Sequence, residues 1–397
     1  MSACPSLPIP LRDVFDGRAQ AGPGCAVADP WELDLLVALS RVPDPRDSRG
    51  VRHRLVTVLA AAVCAVLAGA RSYVGIAEWA HDLPFSVRVR LGIGRRAPSE
   101  STFRRVLQTV DAHALDTAVS SWLVERSAGE HSANQTVQAV AVDGKTARGS
   151  RAPDRAARHL FAAFEHTSGV VLGQTEVDDH SNEITAFTPL LDRIDLTDTV
   201  ITADALHTQD RHATYLHERG GHYVFIVKNN RPKLRAQLAG LPWRDIPALD
   251  VNQDKRHGRV ESRTLKLTAV GSRIIFPHAQ LAAQIVRRRR PNTSAATGAW
   301  HTEIVYAVTD LGFSDVCADQ LAQIVREHWS IENMLHWIRD VTFAKDHSQI
   351  RTGNGPAVMA TLRNFALSRH RLNGHANIAA ACRYTSRHPI RAADLLT

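Results

Sequence analysis

The chain has 397 residues, which is long enough to bury a sizeable hydrophobic core and fits two or three domains. Hydrophobic residues make up 44% of it and charged residues 22%, which are ordinary values for a globular protein and exclude a disordered or fibrous chain. The net charge of +8 favours a polyanionic partner such as a nucleic acid.

The cysteines and the apolar stretches exclude further classes of protein. The five cysteines are odd in number, widely spaced and never in a CxxC pair, which indicates a reducing compartment and argues against structural zinc. The longest apolar run, Leu55 to Ala70, is shorter than the roughly 20 residues that span a bilayer, so it predicts a buried helix. Prolines near the N-terminus interrupt any signal-peptide core, so no secretion signal is expected.

The first third of the sequence predicts an arm followed by helices. Residues 1–30 are rich in Pro, Gly and Ala and predict a loosely ordered arm. Residues 31–128 show helical periodicity, and Ser99 is placed to cap a helix that exposes Arg104 and Arg105. A helix-turn-helix DNA reader and an ordinary helical bundle with a solvated arginine pair fit this pattern equally well.

Residues 129–228 predict a mixed sheet in which two buried strands end in aspartates. The runs TVQAVAVDG and TVITADA end near Asp143 and Asp204, with the hairpin strands HLFAAFEH and VVLGQTEVD and the helix EITAFTPLLDRI between them. A helix over residues 209–218 and the strand HYVFIVK follow. This order predicts an α/β fold of mixed type, in which helices flank the sheet and sites lie at the carboxyl ends of strands.

Residues 229–312 predict a β-rich insertion before the last third of the chain. The insertion carries the basic run Arg287 to Arg290, which is more typical of a solvated strand end than of a DNA clamp. Residues 313–397 then return to helical periodicity.

The helix REHWSIENMLHWIRD, Arg326 to Asp340, combines an acid with imidazoles and indoles. Helical spacing places His328, Glu332 and His336 on one face. Trp329, Asn333 and Trp337 form the neighbouring stripe, and the two tryptophans are expected to be core residues rather than stacking platforms. A buried acid needs a compensating charge, so this face predicts a metal or a basic partner beside Glu332.

Three carboxylates, Asp143, Asp204 and Glu332, predict the chemistry. They are far apart in the sequence, so only the fold could bring them to one strand edge. Converging carboxylates cannot all stay ionised without cations, and Mg²⁺ or Mn²⁺ are the natural occupants. Two such ions can activate a water or a 3′-hydroxyl and stabilise the leaving oxygen of a phosphodiester, with Lys145 and Arg148 beside the phosphate.

Each of these residues also has an ordinary interpretation. A single aspartate at a strand end is more often a helix cap or a turn residue, and Glu332 could pair with Arg339 within its helix. His328 and His336 could form a zinc pair, although their spacing lacks the HExxH pattern.

Several stretches along nearly the whole chain resemble the DDE transposases of the ISAs-type insertion sequences, a group related to the H-repeat-associated proteins. They are VPDPRDSRGVRHRL, LAGARSYVGIAEWA, PSESTFRRVL, AVDGKTARGS, SNEITAFTPLLDRIDL, VITADALHTQ, YVFIVKNNRP, HGRVESR, HWSIENMLHWIRDVTFAKDHSQIRTGNGP and LRNFAL. This resemblance implies a ribonuclease-H-like catalytic core split between residues 129–228 and 313–397, a helical DNA-binding domain at 31–128 and a β-rich insertion at 229–312.

The resemblance also implies a reaction and its residues. It assigns the catalytic acids and ligands of two metal ions to Asp143, Asp204 and Glu332, for cleavage and strand transfer at transposon ends. Related families carry a Y-x2-R-x3-E-x6-K signature around the third acid, where this chain has Val325, His328 and Arg339 at the other three positions. The residues expected to contact DNA are Lys145, Arg148, His328, Asn333, Arg339, Arg104 and Arg105.

The implied partners are transposon ends and target DNA, without a membrane, and a homodimer is expected in the synaptic complex. The protein is expected to be bacterial and cytoplasmic, and associated with the nucleoid when it is bound to DNA. An inactive DNA-binding remnant and a structure-selective nuclease with the same core remain alternatives.

Overall fold

The computed structural model describes residues 35–49, 51–128, 138–178, 181–256, 259–271, 273–291 and 300–397, and the predicted arm at 1–30 lies outside them. The helices are α1 Leu35–Ser40, α2 Leu55–Leu67, α3 Tyr73–His81, α4 Phe85–Arg90, α5 Glu100–Thr109, α6 Ala112–Ala128, α7 Glu183–Leu191, α8 Asp210–Glu218, α9 Pro232–Ala239, α10 Ala318–His328, α11 Trp337–Val341, α12 Gly355–Leu372, α13 Ile378–Ser386 and α14 Pro389–Asp394. The strands are β1 Gln138–Thr146, β2 His159–Glu165, β3 Val171–Val177, β4 Thr199–Ala203, β5 His222–Val227, β6 Asp250–Arg256, β7 Arg259–Ala269, β8 Leu281–Pro291 and β9 His301–Thr309.

All nine strands belong to one mixed sheet with the order β3-β2-β1-β4-β5-β9-β8-β7-β6. Strands β1, β4 and β5 run parallel, and β2 and β3 form the predicted antiparallel hairpin beside β1. The first five strands are therefore arranged as in a ribonuclease-H-like core, which confirms the predicted fold class.

The β-rich insertion continues this sheet instead of forming a separate one. Strand β9 pairs antiparallel with β5. Strands β8, β7 and β6 then follow in that order, each antiparallel to the strand before it. Apolar side chains of β7 and β8, including Leu265 and Ile285, pack with Leu321 and Val325 of α10. Helix α9 also lies in this region, and the strand-like pattern expected there did not predict it.

The helices at the two ends of the chain pack together against one side of the structure. Helix α2 is buried on nearly its whole surface, as its apolar run predicted. The 18-residue helix α12 is buried along most of its length and contacts α2, α5 and α6. The backbone N–H of Leu35 donates to the carbonyl of Leu396 at 3.0 Å, which joins the two ends of the described chain. None of the helices among the described residues is long and apolar enough to cross a bilayer.

Helix α5 connects this helical layer to the segment before α12. Its N-terminus is capped as predicted, because the Ser99 hydroxyl accepts a hydrogen bond from the backbone N–H of Thr102. At its other end the Gln108 carbonyl accepts from the backbone N–H of Asn354 at 2.9 Å. Gly353, with φ of +55°, lies so close to Gln108 that an added Cβ would overlap its carbonyl oxygen.

Gly353→Ala should lower the free energy of unfolding by about 2 kcal/mol or more, because the left-handed backbone and the overlap with Gln108 both oppose a side chain. Urea unfolding at neutral pH measures the change. Gly94→Ala is the control, since no atom lies within 4 Å of the added Cβ. A Gly353→Ala protein as stable as the Gly94→Ala protein would contradict this account of the junction.

Candidate active site

Asp143 and Asp204 occupy adjacent positions at the carboxyl ends of two parallel strands. The pairing of β1 with β4 ends at Val142 opposite Ala203, and the two aspartates are the next residues on their strands. Strand β1 was expected to end near Asp143, but it continues to Thr146 because its pairing with β2 extends further. The side chain of Asp204 also accepts a hydrogen bond from the backbone N–H of Leu206 at 2.8 Å, so it caps the following turn.

Glu332 lies beside the carboxyl ends of these strands, where it forms an ion pair with Lys145 of β1. The Lys145 ammonium is 3.2 Å from one carboxylate oxygen of Glu332 and 3.3 Å from the other. Because Lys145 and Asp143 are two residues apart on β1, their side chains lie on the same face of the sheet. The Glu332 side chain is 54% exposed, so the carboxylate is open to solvent.

The expected shared face of His328, Glu332 and His336 is present, although the helix contains an irregular turn. Residues Glu332–His336 form a π-helical turn between α10 and α11. His336 Nε2 lies 3.1 Å from Asp143 Oδ2, and burial lowers the pKa of this imidazole against the opposing pull of the carboxylate. The turn therefore places His336 and Glu332 side by side along β1.

His328 is buried beneath the site. Its Nδ1 lies 3.0 Å from the hydroxyl of Thr202 on β4, and Thr202 also bonds His166 Nε2 at 3.2 Å. Burial lowers the pKa of His328 to about 4, so the imidazole is neutral at physiological pH. This position contradicts the predicted phosphate contact and instead fixes α10 against β4.

Arg339 is also an interior residue. Its side chain is 1% exposed, Nε donates to Asn364 Oδ1 at 2.7 Å, and Nη2 donates to Gln174 Oε1 at 3.0 Å. Burial lowers the pKa of the guanidinium to about 10, which leaves it charged. The predicted phosphate contact by Arg339 is contradicted, because its donors are directed at side-chain amides of β3 and α12.

The aromatic stripe beside Glu332 is on the surface. Trp329 is 39% exposed and Trp337 is 56% exposed, so the prediction that they are core residues is wrong. Asn333 lies between them and is exposed as well. The reason is that α10 and the π-helical turn use their histidine face, not the indole face, to contact the sheet.

Other residues expected to contact DNA lie at the surface. Lys145 is half-buried beside Glu332, and Arg148 is exposed in the short 3-10 turn that follows β1. Arg104 and Arg105 are both exposed on α5, where Arg104 pairs with Glu100 at 3.2 Å.

Glu183 forms a second polar cluster on the opposite face of the sheet. His159 Nε2 and His207 Nε2 lie 2.6 Å and 3.1 Å from its carboxylate oxygens, and His159 Nδ1 lies 3.0 Å from the Thr146 hydroxyl. Burial raises the pKa of Glu183, but the hydrogen bonds and charges of the two histidines outweigh it and lower the pKa to about 2. The cluster ties β1, β2 and α7 to the turn that follows Asp204.

Sequence reasoning did not single out this cluster. Glu183 follows the helix cap Asn182, so it resembles an ordinary acidic residue in the first turn of a helix. The sequence offered one signal of a close contact here, the glycine that follows Asp143. In the structure a Cβ at Gly144 would overlap the Glu183 carboxylate and the His159 ring, so glycine leaves room for the cluster.

The carboxylates at the ends of β1 and β4 are oxygen ligands of the kind that hard divalent cations prefer. The side chains as placed do not surround a cation. Asp143 and Asp204 offer neighbouring carboxylates at the ends of β1 and β4, and a cationic group, Lys145, already lies beside Glu332. Within the described ranges no group of three or more His, Cys, Asp or Glu side chains is close enough together to hold a metal as placed. His328 and His336, considered for zinc, bond Thr202 and Asp143 instead.

Two family models and the curated relatives agree on one family. The "DDE_Tnp_1-associated" family matches residues 36–123, and the "Transposase DDE domain" family matches residues 135–369. The chain is 30% identical over 347 residues to "Putative transposase YncI" of Escherichia coli, covering 84% of this chain and 86% of that protein. It is 28% identical over 354 residues to "H repeat-associated putative transposase YhhI" of Escherichia coli, covering 84% and 89%. A cryo-EM structure of a piggyBac transposase synaptic complex with hairpin DNA aligns with 92% of this chain and 80% of its own at 10% identity and a TM-score of 0.40.

The low pKa of Glu183 predicts a specific loss of stability in acid. Its folded-state pKa of about 2 is below the ordinary value of 4.5, so its contribution is complete above pH about 4.5 and is lost as the pH falls toward 2. Glu183→Gln should be less stable than wild type at pH 7, and its stability should fall less between pH 5 and pH 3. Urea unfolding at a series of pH values measures both effects.

Glu218→Gln is the matched control, since Glu218 is exposed at the end of α8. This variant should keep the pH dependence of wild type. If Glu183→Gln and Glu218→Gln had the same pH dependence, the cluster would not hold Glu183 ionised.

Proposed function

The chain belongs to the DDE transposase family, and we propose that it binds the ends of a DNA element and catalyses strand cleavage and strand transfer with Asp143, Asp204 and Glu332 as catalytic acids. One observation carries this proposal. Asp143 and Asp204 are adjacent where the parallel pairing of β1 and β4 ends, and Lys145 holds Glu332 against the same face. The expected partners are transposon ends and target DNA.

We propose that Asp143, Asp204 and Glu332 hold two Mg²⁺ or Mn²⁺ ions. When bound, such a pair activates the attacking hydroxyl or water and stabilises the leaving oxygen of a phosphodiester. The exposed Glu332 carboxylate already has one cationic neighbour, the Lys145 ammonium, so a positive charge beside it is compatible with its surroundings.

The protein's own side chains would position these acids and the DNA. His336 orients the carboxylate of Asp143 by its hydrogen bond, as second-layer partners of ligand carboxylates commonly do. His328 holds Thr202, two residues before Asp204, and so fixes α10 to β4. Lys145 and Arg148 are the cations nearest the strand edge in sequence and would contact the phosphate beside the reacting bond.

The surface beside Glu332 is suited to a DNA strand. Asn333 is exposed between Trp329 and Trp337, so its amide could bond a base or a phosphate there. The proposal keeps the predicted division into a helical DNA-binding part at 31–128, a split catalytic core at 129–228 and 313–397, and an insertion at 229–312. It also keeps a homodimer that pairs two transposon ends and a cytoplasmic setting.

Replacing one acid should abolish the chemistry without abolishing DNA binding. We expect Glu332→Gln and Asp204→Asn to lower cleavage and joining of the element's terminal DNA in Mg²⁺ by more than about a hundredfold, because a neutral amide is a poor ligand for a hard cation. Denaturing gels measure the products, and gel shift without metal measures binding.

Glu218→Gln, at the exposed end of α8, is the control and should cleave as wild type does. Full activity in Asp204→Asn would refute the assignment of the acids. Binding without cleavage by wild type would indicate an inactive DNA-binding remnant. Cleavage of branched DNA without joining would indicate a structure-selective nuclease.

Metal binding should also be visible as a gain in thermal stability. Millimolar Mg²⁺ or Mn²⁺ should raise the Tm of wild type, because a ligand that binds only the folded state stabilises it. The double variant Asp143→Asn with Asp204→Asn should lose this shift, and without metal it should be about as stable as wild type, since an asparagine amide oxygen can accept the hydrogen bonds made with His336 and the Leu206 N–H. An equal metal-induced shift in both proteins would place the metal elsewhere.

A further inference from the structure

A basic cleft lies in the N-terminal helical layer, apart from the three acids. It has a volume of about 910 Å³ and is formed by the loop between α1 and α2, the end of α3, the loop before α5 and the first turns of α5. Five arginines line it, Arg46, Arg49, Arg52, Arg96 and Arg105.

The positive charge of the cleft is largely uncompensated. Arg46 is paired, because its guanidinium donates to both carboxylate oxygens of Asp44. In contrast, no ion pair or side-chain hydrogen bond joins the guanidinium groups of Arg49, Arg52, Arg96 and Arg105 to another residue in the ranges that the structure describes.

One acid, Asp47, faces these groups, and its carboxylate accepts from the backbone N–H of Arg49 at 2.9 Å. The excess of positive charge also acts on His53, whose pKa is lowered by burial and then by Arg46 and Arg52. Like charges collected on one concave surface repel one another unless an anion binds between them.

Helix α5 links this cleft to the catalytic strand edge. Its first turns line the cleft, and its ten residues span about 15 Å. Its last turn bonds Asn354, and Arg351 nearby donates to the carbonyl of Gly149, four residues after Lys145. The length of α5 alone is comparable to the rise of four or five base pairs, at about 3.4 Å each, so one duplex is long enough to follow the helix from end to end.

We propose that the cleft binds the phosphate backbone of double-stranded DNA, at phosphates away from the reacting bond. The proposal rests on the proposed function only in taking DNA as the substrate. Guanidinium groups form paired hydrogen bonds with phosphate oxygens, and the hydroxyls of Ser101 and Thr102 add neutral donors. Because these contacts involve phosphates, they position the duplex and do not read its sequence. Arg105 lines the cleft and is one of the proposed phosphate contacts. Arg104 pairs with Glu100 and does not line the cleft.

Two double variants with the same change in net charge test the proposal. Arg52→Ala with Arg96→Ala removes two guanidiniums from the cleft. Arg54→Ala with Arg95→Ala removes two exposed arginines from the same two loops, and neither lines the cleft. Fluorescence anisotropy with a labelled 30-base-pair duplex of arbitrary sequence, in EDTA and at several salt concentrations, measures affinity and its salt dependence.

The cleft variant should bind at least about tenfold more weakly at 0.1 M salt, and its slope of log K against log salt should be smaller by about two, close to one for each lost phosphate contact. The control variant should keep the wild-type slope. Equal losses in both variants, or no loss in the cleft variant, would overturn the proposal. Thermal unfolding of both variants checks the fold, and Arg52→Gln with Arg96→Gln replaces the alanine pair if that protein is unstable.

Inorganic phosphate distinguishes DNA from a free anion as the occupant. At matched ionic strength, phosphate should compete no better than chloride if the cleft fits a duplex backbone. Competition by millimolar phosphate that the cleft variant loses would indicate a free-phosphate pocket and overturn the proposal. Because binding is measured in EDTA, loss of affinity is separate from loss of cleavage, so each proposal can fail independently.

Discussion

The structure of the site depends on the point at which two parallel strands stop pairing. Strands β1 and β4 run side by side up to Val142 and Ala203, and the residue after each is an aspartate. Parallel strands align their carboxyl ends at one edge, so this register alone brings Asp143 and Asp204 together. A register shift of one residue would turn one of the two side chains to the opposite face of the sheet.

Both faces of the sheet hold this edge through buried polar contacts. On one face, His328 bonds Thr202 and His336 bonds Asp143, so the helix that carries Glu332 is anchored at two strands. On the other face, Glu183 joins His159 and His207. Each of these side chains makes at least one such bond, and a buried polar group that lost its partner would destabilise the fold by about 1–3 kcal/mol. Each acid at this edge also has a partner of its own, His336 for Asp143, the Leu206 backbone N–H for Asp204 and Lys145 for Glu332.

The helical layer contributes through a continuous set of contacts. Helix α12 packs against α2, α5 and α6, and the Gly353 turn brings α5 close to the segment that contacts Gly149 beside the catalytic strand. A duplex held by the basic cleft would thereby lie at a defined distance from Asp143. The same layer buries Arg339, whose charge is satisfied by the amides of Asn364 and Gln174.

The sequence by itself determined the elements of the core. Buried strands are continuous apolar runs and the helix of Glu332 has clear spacing, so the hairpin, the strand before Asp204 and the shared face of His328, Glu332 and His336 were predictable. Only the tertiary structure decided which face of that helix meets the sheet, because helical spacing defines faces but not their partners. That choice exposes Trp329 and Trp337 and buries His328. The tertiary structure also decided that the β-rich insertion joins the core sheet, that Arg339 is an interior residue and that Glu183 is half-buried between two histidines, since long-range pairing leaves no local pattern.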